Sequence, residues 1–244
     1  MEKHTFQAEI QKVLDIFINS LYTDKEVFAR ELISNAADAC EKVRFMQSGG
    51  QAVYQPDRAP SISVKLDETE KRVTIADTGC GMTRDELVEN LGTIAHSGTK
   101  NFLNAISEQQ SKSAEQTETD PAKSSNSLIG QFGVGFYSAF MVAKKVTVYT
   151  RSWKDGEQGW KWTSSGMDGY ELEPAENLDR GTRIELDLKE DAQDFSKKFE
   201  MERILKHYSS FIQFPVFLED TQLNTVQAIW ARSKADIKPE EYTE

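Results

Sequence analysis

Glu31, Asn35, Asp38 and Lys42 fall at steps of four, three and four within Phe28-Ala-Arg-Glu-Leu-Ile-Ser-Asn-Ala-Ala-Asp-Ala-Cys-Glu-Lys-Val43. At 3.6 residues per turn this spacing draws one polar stripe along a helix. Phe28, Leu32, Ile33, Ala36, Ala37, Cys40 and Val43 occupy the other faces. A helix apolar on most sides is buried, so the stripe is expected to line a groove. A solvated face is the ordinary reading of a charged stripe; the apolar surroundings and two glycine-rich loops downstream favour the groove. The residue types suit phosphoryl chemistry. An amide oxygen such as that of Asn35 is a ligand for Mg²⁺, which keeps several waters and bridges phosphate oxygens. A carboxylate one turn away, Glu31, can orient or deprotonate an attacking water.

The first downstream loop, Asp77-Thr-Gly-Cys-Gly-Met82, ends an apolar strand. A lone carboxylate there can accept a hydrogen bond from an exocyclic amine such as that of adenine. Gly79 and Gly81 would let the backbone turn sharply and approach a flat base, although hairpin turns use the same residues. The second loop, Gly130-Gln-Phe-Gly-Val-Gly135, precedes a helical run. Glycines before a helix N-terminus aim backbone N–H groups at an anion, which favours phosphate. The pattern is neither a Walker A motif nor a Rossmann fingerprint. Stripe, acidic loop and glycine loop in that order are far more specific than any one of them.

Positioning these groups requires a particular set of elements. Phe6, Ile10, Val13, Leu14, Phe17, Ile18 and Leu21 mark an amphipathic helix. Thr23 or Asp24 is a candidate N-cap for the stripe helix, which fades at Ser48-Gly-Gly50. Ile62, Val64 and Leu66, then Val73 and Ile75, alternate with polar residues as a β-hairpin. Thr83-Arg-Asp-Glu86 has the form of a capping box opening a helix. Strands are expected near residues 146–150, 160–163, 170–172 and 182–188, followed by a helix built on Phe199, Ile204, Leu205, Tyr208 and Phe211. Phe214-Pro-Val-Phe-Leu218 is the last apolar run, and residues 219–244 are largely polar. Residues 107–127 hold only Ala114 and Ala122 as apolar residues and read as an exposed, mobile segment placed where a lid would lie. The order suits an α+β two-layer sandwich, a mixed, mostly antiparallel sheet with helices on one face.

Composition bounds the partners. The 244 residues are 38% hydrophobic and 10% aromatic, enough for a sizeable core. The net charge of −11, from 40 acidic against 29 basic residues, argues against nucleic acid or an anionic membrane as partner. Cys40 and Cys80 show no metal-ligand spacing, and no apolar run reaches transmembrane length. A reduced, cytoplasmic compartment is the simplest expectation.

The three motifs, in their order, resemble those of the GHKL ATPases. Ser20-Leu-Tyr-Thr-Asp-Lys-Glu-Val-Phe-Ala-Arg-Glu-Leu-Ile-Ser-Asn-Ala-Ala-Asp-Ala39 is similar to the signature of the 90-kDa heat-shock protein chaperones. So are Leu91-Gly-Thr-Ile-Ala-His-Ser-Gly-Thr-Lys100 and Ile129-Gly-Gln-Phe-Gly-Val-Gly-Phe-Tyr-Ser138; the likeness spans almost the whole chain, and its short form suggests the bacterial HtpG type. The resemblance implies the Bergerat nucleotide fold and an ATPase that drives a chaperone cycle. It implies Glu31 as catalytic carboxylate, Asn35 as Mg²⁺ ligand and Asp77 as the group binding the adenine amine, with Gly81 and Thr182 assisting through water. Met82, Asn90 and Phe136 would line base and sugar. Gly130, Gln131, Phe132, Gly133, Val134 and Gly135 would hold the phosphates, with Ser97 also at the nucleotide and Asp38 and Lys42 at the pocket rim. Residues 92–127 would form the ATP lid, in which His96 stands where the family usually carries Lys or Arg, and residues 107–127 make a longer insert than the family leads one to expect.

The resemblance further implies a truncated chain. Residues 1–218 would be an N-terminal ATP-binding domain, and residues 219–244 a linker and the start of a middle domain whose arginine reaches the γ-phosphate. Slow turnover follows for the piece alone, which would be monomeric, whereas the full-length protein would be a homodimeric clamp for unfolded client proteins. Three rivals share parts of the pattern. A histidine-kinase ATP domain should lack a carboxylate in the place of Glu31, and the acidic charge disfavours a mismatch-repair or topoisomerase ATPase. A nucleotide sensor without efficient turnover fits the missing arginine.

Overall fold

Alternating side chains make the first hairpin. Val64 and Ile75 face each other across the β1 (Ile62–Asp67) and β2 (Arg72–Asp77) pair, as do Leu66 and Val73. Val64, Val73 and Ile75 are at most 2% exposed, so one face of the pair is sealed while Lys65 on the other meets water. The computed structural model describes residues 24–92, 135–166 and 169–224. The expected helix over residues 6–21, lid residues 93–127, the loop residues 130–134 and the tail beyond 224 lie outside the described residues.

The sheet is built outward from this hairpin. It also contains β3 (Ala143–Arg151), β4 (Gly159–Ser164), β5 (Glu171–Ala175), β6 (Gly181–Leu188), β7 (Val216–Leu218) and β8 (Thr221–Gln222). Their order is β5-β4-β3-β6-β2-β1-β7-β8, and β1 with β7 is the parallel pair in an otherwise antiparallel sheet. Helix α1 (Val27–Ser48) packs on β1 and β2. Among the described residues the other α-helices are α2 (Arg84–Gly92), α3 (Ala139–Val142) and α4 (Lys198–Ser209), with α3 and α4 both against α1. The opposite sheet face carries cross-strand polar pairs, with Arg72 2.7 Å from Asp187 and the Arg183 guanidinium 4.2 Å over Tyr149. This is the expected α+β sandwich with a mixed, mostly antiparallel sheet.

One local signal carries into the structure atom by atom. The Thr83 N–H donates to Glu86 Oε2 at 2.8 Å and the Glu86 N–H to Thr83 Oγ1 at 3.3 Å, the reciprocal capping box at the start of α2. At the start of α1 the N-cap is Glu26, without a side-chain cap bond, rather than Thr23 or Asp24, and Asp24 Oδ1 instead accepts the Glu26 N–H at 2.9 Å in the turn before the helix. Two further expectations need correction. Phe199 and Phe211 are 82% and 81% exposed rather than part of the buried helix face. Met201, Ile204, Leu205 and Tyr208 make the inward stripe of α4, Phe199 sits about 160° around the helix from Met201, and Phe211 follows the helix end. The sheet also runs past residue 218. β8 pairs with β7, and Asn224, 7% exposed, accepts the Val216 N–H at 2.8 Å while its amide donates to the Ile212 and Phe214 carbonyls.

The two faces of α4 should respond differently to truncation. Ile204→Ala is expected to cost about 2–5 kcal/mol of unfolding free energy, as for other large-to-small core changes. Phe199→Ala should change it by no more than about 0.5 kcal/mol. Urea unfolding of both variants checks this.

Candidate functional site

Helix α1, the end of β2, the end of β3 and the start of β6 converge on Asp77. The Asp77 Oδ1 accepts the Gly79 N–H at 2.8 Å and the Thr182 N–H at 3.3 Å. Both bonds go to one oxygen, and among the described residues none donates a hydrogen bond to Oδ2. Desolvation pushes the carboxyl up to about 7 from its ordinary 3.8, against the opposing pull of those two N–H groups and of Arg180 and Arg58.

The loop that carries it is tied to three elements. The Cys80 N–H donates to the Ala39 carbonyl of α1 at 3.0 Å, and the Trp153 N–H to the Cys80 carbonyl at 2.8 Å. The Met82 N–H donates to Thr150 Oγ1 at 3.0 Å. Thr150 is 1% exposed, and its hydroxyl lies 3.1 Å from that of Thr182 and 3.2 Å from the Gly181 carbonyl. Gly79 packs on the Ala39 backbone, where a Cβ would stand 2.5 Å from the carbonyl carbon. Gly81 has φ +57° and faces the Arg151 carbonyl so closely that any side chain would collide with it. The close approaches of these two glycines are therefore to α1 and β3, where the sequence suggested a base.

The polar stripe of α1 lies as its spacing requires. Glu31, Asn35 and Lys42 are half-buried, while Asp38, expected at a rim, is only 3% exposed. Arg30 donates to Glu31 Oε1 through Nε at 3.1 Å and Nη2 at 2.9 Å. The other oxygen, Oε2, abuts Gly135 so tightly that a Cβ there would overlap it. The carboxylate thus meets the end of the second glycine loop. Ser97, Gly130, Gln131, Phe132, Gly133 and Val134, like His96, lie outside the described residues.

Met82 and Asn90 are brought together, the Asn90 amide donating to Met82 Sδ at 3.9 Å. Phe136, 8% exposed, sits edge-on to Tyr137 and Trp162, each with ring centroids 5.6 Å away. The Tyr137 hydroxyl donates to the Leu91 carbonyl at 3.0 Å, and Tyr170 lies against Gly92, so the last turn of α2 rests on two tyrosines. Cys40 is buried and burial raises its thiol well above the ordinary range; burial pushes Cys80 up to about 11. Both are neutral thiols near pH 7, poor metal ligands. Among the described residues no three or more His, Cys, Asp and Glu side chains gather as a metal cage.

Two residues of this site escaped the sequence reading. Thr150 reads as one more strand residue, and only its partners Met82, Gly181 and Thr182 mark it. Arg180 is 1% exposed, with its guanidinium on the backbone of the Asp77 loop. An arginine beside Gly181 at the start of a strand has no local signature of burial.

The family model described as histidine kinase-, DNA gyrase B-, and HSP90-like ATPase matches residues 22–167. Over 244 residues the chain is 50% identical to Chaperone protein HtpG of Desulfitobacterium hafniense, covering 100% of this chain and 38% of that protein. It is 47% identical over 243 residues to Chaperone protein HtpG of Desulfotalea psychrophila, covering 100% of this chain and 37% of that protein. It is 44% identical over 244 residues to Chaperone protein HtpG of Chlorobium chlorochromatii, again covering 100% and 37%. The chain therefore spans little more than a third of the length of these curated relatives. No helix among the described residues is long and apolar enough to cross a membrane.

Proposed function

Because the chain belongs to the histidine kinase-, DNA gyrase B- and HSP90-like ATPase family, we propose that it binds ATP at Asp77 and hydrolyses it with Glu31, as the nucleotide-driven part of a cytoplasmic chaperone. The observation that carries this reading is the Asp77 carboxyl, desolvated and held by two N–H groups on one oxygen, with no hydrogen bond to the other among the described residues. An adenine amine is the matching donor, and the Thr150–Thr182 hydroxyl pair beside it supplies further polar contacts to the base. Met82, Asn90 and Phe136 flank the base and sugar. Gly135, with residues 130–134 before it, takes the phosphates, and Ser97, Asp38 and Lys42 complete the nucleotide's surroundings.

The residues fit a Mg²⁺ that arrives with the nucleotide. Asn35 offers one neutral hard oxygen a turn beyond Glu31, which is what this ion uses when phosphates and waters fill its other positions. Bound there, it would neutralise phosphate charge as the bond to the leaving group breaks. Glu31 then holds the attacking water and accepts its proton. The Arg30 pairing keeps the carboxylate turned to one side without sealing it, since Arg30 is itself exposed. As in the relatives' printed name, the output is a chaperone's. We assign the piece beyond residue 224 to the start of a further domain, and client proteins and dimerisation to the longer protein.

Proton linkage tests the site. Adenine requires the ionised Asp77, and with a pKa of about 7 ADP affinity should fall about tenfold from pH 8 to pH 6. Titration calorimetry at both values checks it; no binding of ADP at millimolar concentration at pH 8 overturns the proposal. In the empty protein this group has the opposite effect on folding. The unfolded chain loses the proton near 3.8 and the folded chain near 7, so its contribution to stability declines as pH rises across that window.

A further inference from the structure

Arg180 is buried at 1% exposure, yet among the described residues no carboxylate is a hydrogen-bond partner of its side chain. A guanidinium has five N–H donors in a rigid fork. Here Nε donates to the Tyr54 carbonyl at 2.9 Å, and Nη1 to the carbonyls of Thr78 and Gly79, the latter at 2.9 Å. Nη2 donates to the carbonyls of Gln55 at 3.4 Å and Arg58 at 2.7 Å. Every donor is thus spent on backbone, and two of the five acceptors are the residues immediately after Asp77. The Arg180 N–H adds a bond to Gln55 Oε1 at 3.0 Å. Two residues along, the Thr182 N–H binds the Asp77 carboxylate itself. Arg180-Gly181-Thr182 therefore grips the Asp77 loop from behind while its neighbour Thr182 touches the reading group.

We propose that Arg180 is a positioning residue for base recognition, which clamps the Thr78 and Gly79 carbonyls against the segment 54–58 and so aims Asp77 Oδ2 at the exocyclic amine of the purine. The inference rests on the reading of Asp77 as the base-binding group. It accounts for a buried cation whose side-chain hydrogen bonds, among the described residues, all go to backbone carbonyls. Lysine, with three donors on one atom, cannot span both segments. The positive charge also favours the ionised form of Asp77, the form that accepts from an amine.

ADP and IDP separate aim from mere folding, because hypoxanthine carries an oxygen where adenine carries the amine. Titration calorimetry of both nucleotides into the 244-residue chain is expected to show an ADP preference that R180M reduces about tenfold, the worth of one well-aimed charge-assisted hydrogen bond. R180K should keep part of the preference. Equal losses of ADP and IDP affinity would mark general loosening and overturn the inference, as would an undiminished preference in folded R180M. If circular dichroism shows R180M unfolded, R180K decides by the same ratio. D77N separates this inference from the reading beneath it. If D77N leaves the ADP to IDP ratio unchanged, Asp77 does not read the base and both fall. If D77N abolishes the ratio while the Arg180 variants retain it, the reading stands and the role of Arg180 is refuted.

Discussion

Glu31→Gln is expected to lower ATP hydrolysis by roughly 10²–10⁴-fold, the range for removing a general base, while ATP affinity stays within about twofold. The amide is isosteric with the carboxylate, so the tight contact with Gly135 survives. It can accept a hydrogen bond from water but cannot take the proton. Folding should hardly change, because the partner left behind, Arg30, is exposed, and a solvated ion pair contributes at most about 1 kcal/mol. Phosphate release from radiolabelled ATP under single-turnover conditions, beside a thermal melt, separates the two effects. Turnover equal to wild type would remove Glu31 from the chemistry, whatever its place on α1.

Asp77→Asn should weaken ADP binding by roughly 10²-fold or more, and for a reason beyond lost charge. The introduced amide would keep its oxygen on the Gly79 and Thr182 N–H groups, since these two donors need an acceptor. Its NH₂ group would then occupy the position of Oδ2 and meet the adenine amine donor to donor. A charge-assisted hydrogen bond is lost and a buried donor is left unpaired, together about 3 kcal/mol. The same NH₂ suits the oxygen of hypoxanthine, so the preference for ADP over IDP should collapse or invert. Stability should move the other way. Desolvation already penalises the Asp77 charge, so the variant should melt higher than wild type at pH 8. Weaker ADP binding with a raised melting temperature is a signature that a damaged fold cannot produce.

Much of this site is visible along the chain because it is local. The stripe on α1 follows from helical periodicity, the hairpin from alternation, and the cap of α2 from Thr83 and Glu86 being three residues apart. Asp77 stands at the end of β2 because the alternation of Val73 and Ile75 stops there. In each case the partners lie within a few residues, and spacing alone puts them together.

The groups that hold Asp77 in place are of another kind. The carbonyls bound by the Arg180 side chain lie between 101 and 126 residues away in sequence, and Thr150 meets Met82 across 68. Backbone carbonyls bear no residue type, so nothing at positions 54, 78 or 79 advertises such a partner. Gly79 and Gly81 are legible as glycines, but whether a base, a helix or a strand presses against them depends on the strand order that sets β6 and β3 beside β2. The same order inserts β7 parallel to β1. Periodicity and capping encode the chemistry-bearing residues of this protein. Their aim is set by long-range backbone contacts that come into being when the sheet closes.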